Sequence, residues 1–118
     1  VQGPQGAAGA AGANGTPYSV NSTFVVPVTG FNQTIPSTSN NLNTYVMTPA
    51  GTLATGTLVM PAGAVQGQMV SISSSQKITA LTLNPNTGQA ILNAPTTLAA
   101  GTFVSYIMDG ANTWHIIG

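Results

Sequence analysis

The chain has 118 residues, 42% of them apolar, and Lys77, Asp109 and His115 are its whole inventory of charged or near-neutral titrating side chains. So little charge excludes nucleic acid, whose affinity comes from Lys and Arg neutralising phosphates, and an anionic membrane surface for the same reason. The absence of cysteine removes disulfides, thiolate metal sites and Cys nucleophiles, and no apolar run approaches the ~20 residues that cross a bilayer, so no membrane insertion is expected.

The length suits one small domain with a short extension. The sequence opens at Val1 without a basic n-region, and reads as the C-terminal fragment of a longer protein. Residues 3–15, GPQGAAGAAGANG, place glycine at Gly3, Gly6, Gly9, Gly12 and Gly15. A triple helix needs glycine at every third residue, because only glycine fits where three extended chains meet at the axis. Pro4 in the X position has the fixed φ that polyproline II requires. The alternative is a flexible Gly/Ala linker, which has no reason to keep the period. Residues 1–15 are thus expected to be the end of a collagen-like stalk, spanning roughly 40 Å at about 3 Å per residue. Such a stalk is too short and too poor in proline to hold three chains alone, so residues 16–118 are expected to trimerise it.

From Thr16 onward the pattern changes to short apolar runs separated by turn residues. Helical periodicity is absent, and Pro or Gly interrupts nearly every window long enough for a helix. The strand-like runs are STFVVPV (22–28), NTYVMT (43–48), TGTLVM (55–60), QMVSISS (68–74), ITALTLN (78–84), QAILN (89–93), TFVSYIM (102–108) and TWHII (113–117). Their spacing predicts an all-β domain, an antiparallel jelly-roll-like sandwich. Asn84-Pro85-Asn86-Thr87-Gly88 has the chemistry of a tight turn and predicts a hairpin between 78–84 and 89–93. Asp109-Gly110-Ala111-Asn112 predicts a second hairpin between 102–108 and 113–117. Pro27 lacks an amide hydrogen, which makes 22–28 an edge strand or ends it there.

Alternation assigns faces. In 102–108, Phe103 and Ile107 share one side and Val104, Tyr106 and Met108 the other; both sides are apolar, as in a strand covered on both faces. One side is expected to meet the core and the other a neighbouring subunit of a homotrimer. Trp114 and Ile116 share a face opposite His115 and Ile117. Phe103, Val104, Tyr106, Ile107, Met108, Trp114 and Ile116 are therefore the candidate core or trimer-packing residues.

Residues 56–118 carry a sequence of turn motifs: Pro61 to Gln68 (PAGAVQGQ), Asn84 to Gln89 (NPNTGQ), Pro95 to Gly101 (PTTLAAG) and the closing Asn112-Thr113-Trp114 strand. In their order these resemble the C-terminal head sequences of bacteriophage tail fibres and spikes, in which collagen-like repeats often lead into trimeric β heads. The resemblance covers about half the chain. It implies a viral fibre or spike head on the virion surface that trimerises the shaft and attaches to a host, by binding a glycan or other neutral surface ligand. The alternatives are a purely structural trimerisation or capsid-decoration module and a bacterial collagen-like surface adhesin.

Little in the sequence points to catalysis. Glycoside hydrolysis needs two carboxylates per site, and each chain has one, Asp109. Asp109 and His115 are two members of a Ser-His-Asp triad, but no GxSxG sequence accompanies them and His115 sits mid-strand beside Trp114. The reading is no enzyme, no cofactor and no metal. With so few titrating groups, stability is expected to depend little on pH between about 5 and 9.

Overall fold

The computed structural model describes residues 19–118, and among these every regular element is a strand. In chain order they are β1 (Val20–Val25), β2 (Phe31–Thr34), β3 (Leu42–Met47), β4 (Leu53–Val59), β5 (Met69–Ser74), β6 (Ile78–Asn84), β7 (Ala90–Ile91), β8 (Thr102–Met108) and β9 (Thr113–Ile116). Sheet A has the order β1-β3-β5-β8-β9-β7 and sheet B the order β2-β4-β6.

Strands adjacent in sequence up to β6 lie in different sheets, and β1 to β4 each pair in parallel with the strand two places on. Val20 faces Leu42 and Leu42 faces Met69 in sheet A; Phe31 faces Gly56 and Gly56 faces Leu81 in sheet B. The chain therefore winds. Each coil contributes one strand to each sheet, and the whole is a β-solenoid of about four turns. This corrects the expected antiparallel sandwich. The turn residues that looked like hairpin loops are corners that pass the chain from one sheet to the other. The hairpin expected between 78–84 and 89–93 does not form: β6 ends in sheet B, whereas β7 joins sheet A beside β9, in parallel. The Asp109–Asn112 hairpin does form, with β8 and β9 antiparallel and Asn112 at φ 56°. The viral head that trimerises a collagen-like shaft falls with the sandwich on which it was built. Gly3, Gly6, Gly9, Gly12 and Gly15 lie outside the described residues.

The core lies between the sheets, where inward side chains stack coil upon coil. Tyr45 and Met47 of β3, Val70 and Ile72 of β5, and Val104 and Tyr106 of β8 fill it from sheet A. Phe31, Leu58, Leu81 and Leu83 fill it from sheet B. Gly56 is the neighbour of Phe31 in register, and a Cβ on it would be built inside the Phe31 ring. The missing side chain of one coil is the seat of the aromatic ring of the coil before.

Two Gly-Gln pairs lock successive coils. Gly67 and Gly88 take positive φ, 88° and 80°, a conformation that costs glycine least. Each following glutamine folds back on its own turn. Gln68 accepts from the Val65 N–H through Oε1 and donates through Nε2 to the carbonyls of Thr38 and Asn40. Gln89 accepts from the Asn86 N–H and donates to the Pro61 carbonyl. Each clamp satisfies backbone groups of a coil and of the one before it, groups that would be costly to leave unpaired where they are shielded from water.

The C-terminal end of the stack is closed. Gln89 also accepts from Trp114 Nε1 at 2.9 Å, fastening β9 over the last coil. Leu98 is buried and exchanges backbone hydrogen bonds with Ile78 across the edge of sheet B. The turn motifs that carried the resemblance thus act as coil clamps and a cap.

Candidate functional site

Of the residues singled out from the sequence, Val104, Tyr106, Met108 and Trp114 point into the core, with Tyr106 and Trp114 fully buried. Phe103, 60% exposed, and Ile107, half-buried, point out of sheet A. Ile116 stands opposite Tyr106 in register and is exposed. The two faces read from alternation in 102–108 are those of β8.

The outward face of sheet A is organised in rows, because register aligns like residues across β1, β3, β5 and β8. One row is Val20, Leu42, Met69 and Ile107, all apolar. The next is Ser22, Thr44, Ser71 and Ser105, all hydroxyl. The third is Phe24, Val46, Ser73 and Phe103. The hydroxyl row bonds along itself, Thr44 Oγ1 to Ser22 Oγ at 2.8 Å and Ser105 Oγ to Ser71 Oγ at 3.2 Å. Phe24 is 71% exposed. In the third row a shallow groove of about 260 Å³ lies over Ser73, between Val46 and Phe103. Single-strand reading found Phe103 and Ile107 on this face. It missed Phe24, Val46, Leu42 and Met69, since their common row appears only when β1, β3 and β5 are parallel and in register.

Asp109 and His115 come together at the β8–β9 turn, with Nε2 and Oδ2 2.7 Å apart. The other carboxylate oxygen accepts the N–H groups of Ala111 and Thr113. The His115 hydrogen bond first, then these two backbone donors, hold the Asp109 carboxyl below its ordinary value of 3.8. Both side chains are part-exposed, and no serine is hydrogen-bonded to His115 among the described residues, so the arrangement seen is a turn brace. Burial pushes the Tyr106 phenol up to about 12, and raises that of Tyr45. The Tyr106 hydroxyl has no hydrogen-bond partner among the described residues.

Where two coil corners meet, Ser37, Thr38 and Ser39 face Ala62, Gly63 and Val65 across an open cleft of about 440 Å³. Its walls are held by the Gln68 clamp and by Ser37 Oγ donating to the Ala62 carbonyl. The lining carries hydroxyls, amides and methyl groups but no charge. No group of three or more His, Cys, Asp or Glu side chains able to hold a metal occurs among the described residues.

Comparison with family models, with curated proteins and with solved structures returned no match. The class is therefore set by the architecture alone: an all-β repeat protein, a β-solenoid, a fold class often used by tail-fibre and adhesin proteins. Nothing specific to a phage accompanies it.

Proposed function

We propose that this protein is a non-enzymatic structural module that associates with copies of itself as a homotrimer on an extracellular surface, and presents a neutral, hydrogen-bonding exterior there. The observation that carries this reading is the exterior itself. Lys77, Asp109 and His115 supply its ionisable surface groups, and the rest is hydroxyl, amide and apolar. A surface without like charges lacks the repulsion that normally keeps copies of a small domain apart. A rigid coil stack suits a scaffold, and Asp109 with His115 is engaged in bracing a turn.

The test is the mass of the 118-residue chain by light scattering at micromolar concentration. Three times the chain mass supports the reading; a folded single copy overturns it.

The cleft between Ser37–Ser39 and Ala62–Val65 favours a second element, a neutral glycan as ligand. Hydroxyl and amide groups donate and accept without a charge preference, and the volume falls in the range of small-molecule sites. Threefold presentation multiplies weak contacts to a repeated surface ligand. A glycan array probed with the intact chain is expected to select neutral sugars, and to lose that signal in Ser39→Trp, which fills the cleft. Binding confined to anionic sugars, or unchanged in that variant, contradicts the assignment.

A further inference from the structure

We infer that copies of this chain meet through the outward face of sheet A, with the groove over Ser73 receiving an aromatic side chain of a neighbouring copy. This rests on the reading that the chain self-associates, and adds which surface does it.

Three features single out this face. First, it is apolar in rows. A solenoid sheet needs apolar residues only on its inner side, yet Val20, Leu42, Met69 and Ile107 form an unbroken outer row and Phe24, Val46 and Phe103 most of another. Sheet B, built on the same core, has outward rows Asn32-Thr57-Thr82 and Thr34-Val59-Asn84 instead. Contiguous exposed apolar rows on one sheet only are the mark of an interaction surface.

Second, the chemistry suits a copy of the same face. The four strands carry no charged side chain outward, so packing two faces over them leaves no ion desolvated; His115 of β9, beside Ile107 in register, stands at the rim with Asp109 as its partner. The hydroxyl row between the apolar rows is already paired along itself at two points, and loses little when covered.

Third, the relief is complementary. Phe24 and Phe103 stand at the two ends of one row, and small Ser73 leaves the depression near one of them. A projecting ring on one copy and a groove on the next make a head-to-tail contact, which closes into a ring when the rotation allows.

The experiment uses the full chain and two sets of substitutions. Phe24→Ala removes a projecting ring and Ser73→Phe fills the groove; both sites point outward, and far-ultraviolet circular dichroism checks the fold. Thr82→Phe places the same bulk on the outer face of sheet B. Light scattering is expected to give assembled wild type and Thr82→Phe, with Phe24→Ala and Ser73→Phe folded and shifted at least tenfold in dissociation constant. An assembled wild type whose Phe24→Ala and Ser73→Phe variants stay fully assembled, or of which Thr82→Phe alone dissociates, overturns this surface and leaves self-association standing. A monomeric wild type overturns both.

Discussion

Sheets A and B enclose one core from opposite sides and are wound from the same coils, yet their outer surfaces follow different rules. On sheet B the outward positions of β4 and β6 are mostly Thr, Ala and Asn, as on a face that stays in water. On sheet A the outward positions of β1, β3, β5 and β8 sort into apolar and hydroxyl rows, with Phe24 71% exposed. Inner positions answer to the core and are apolar in both sheets. What an outer position carries is free to vary, so the difference between the two outer faces reports what each meets.

The largest effect is expected inside sheet B. Gly56→Ala forces the Phe31 ring out of its seat, an overpacking that costs about 3 kcal/mol by chemical denaturation. Phe31→Leu in the same background should recover part of the loss; if Gly56→Ala is neutral, the coil-to-coil seating is misplaced. Next is the clamp that ties the cap of sheet A to the last coil. Gln89→Ala leaves the Asn86 N–H, the Pro61 carbonyl and the Trp114 indole N–H without their partner, at a cost of about 2 kcal/mol. Hydrogen exchange should show β9 opening before β3, and uniform loss of protection would contradict a cap-specific role.

Tyr106→Phe goes the other way. It removes a buried hydroxyl that has no partner among the described residues, so the variant should match the wild type or gain up to about 1 kcal/mol. A loss above about 1 kcal/mol would reveal a bond at that oxygen.

The smallest effect concerns pH. Asp109 has a folded-state pKa below its ordinary 3.8. What it contributes is complete above that ordinary value and is lost as pH falls through the lower, folded one. The melting temperature should therefore be level from about pH 5 to 9, and Asp109→Asn should abolish only the part of any decline below about pH 4 that this carboxylate causes. A step within that range would contradict this.

The strands were mostly legible in the sequence; of their pairings, the β8–β9 hairpin was legible and the parallel ones were not. Alternation located every strand but β2, whose FNQT has one inward apolar residue, Phe31, and three exposed positions. Turn chemistry at Pro85–Gly88 revealed that the chain turns, but a corner between sheets and a hairpin loop use the same residues. The coil repeat was present in outline: Pro36, Pro61 and Pro85 each follow the second strand of a coil, Pro27 and Pro49 each follow the first, and Gly-Gln occurs at 67–68 and 88–89. Unequal loops, the long one running from Pro61 to Gln68, blur its period. For the candidate site, Phe103 and Ile107 were visible as the second apolar side of one strand. The rows they belong to depend on parallel register, which no single strand encodes.

The central claim, that one face of this solenoid is built to be covered by its own copies, is tested most directly by the solution mass of wild type beside Ser73→Phe. The account predicts three times the 11.8 kDa chain mass for the wild type and a folded, smaller species for the variant at the same micromolar concentration. Equal masses for the two would contradict it.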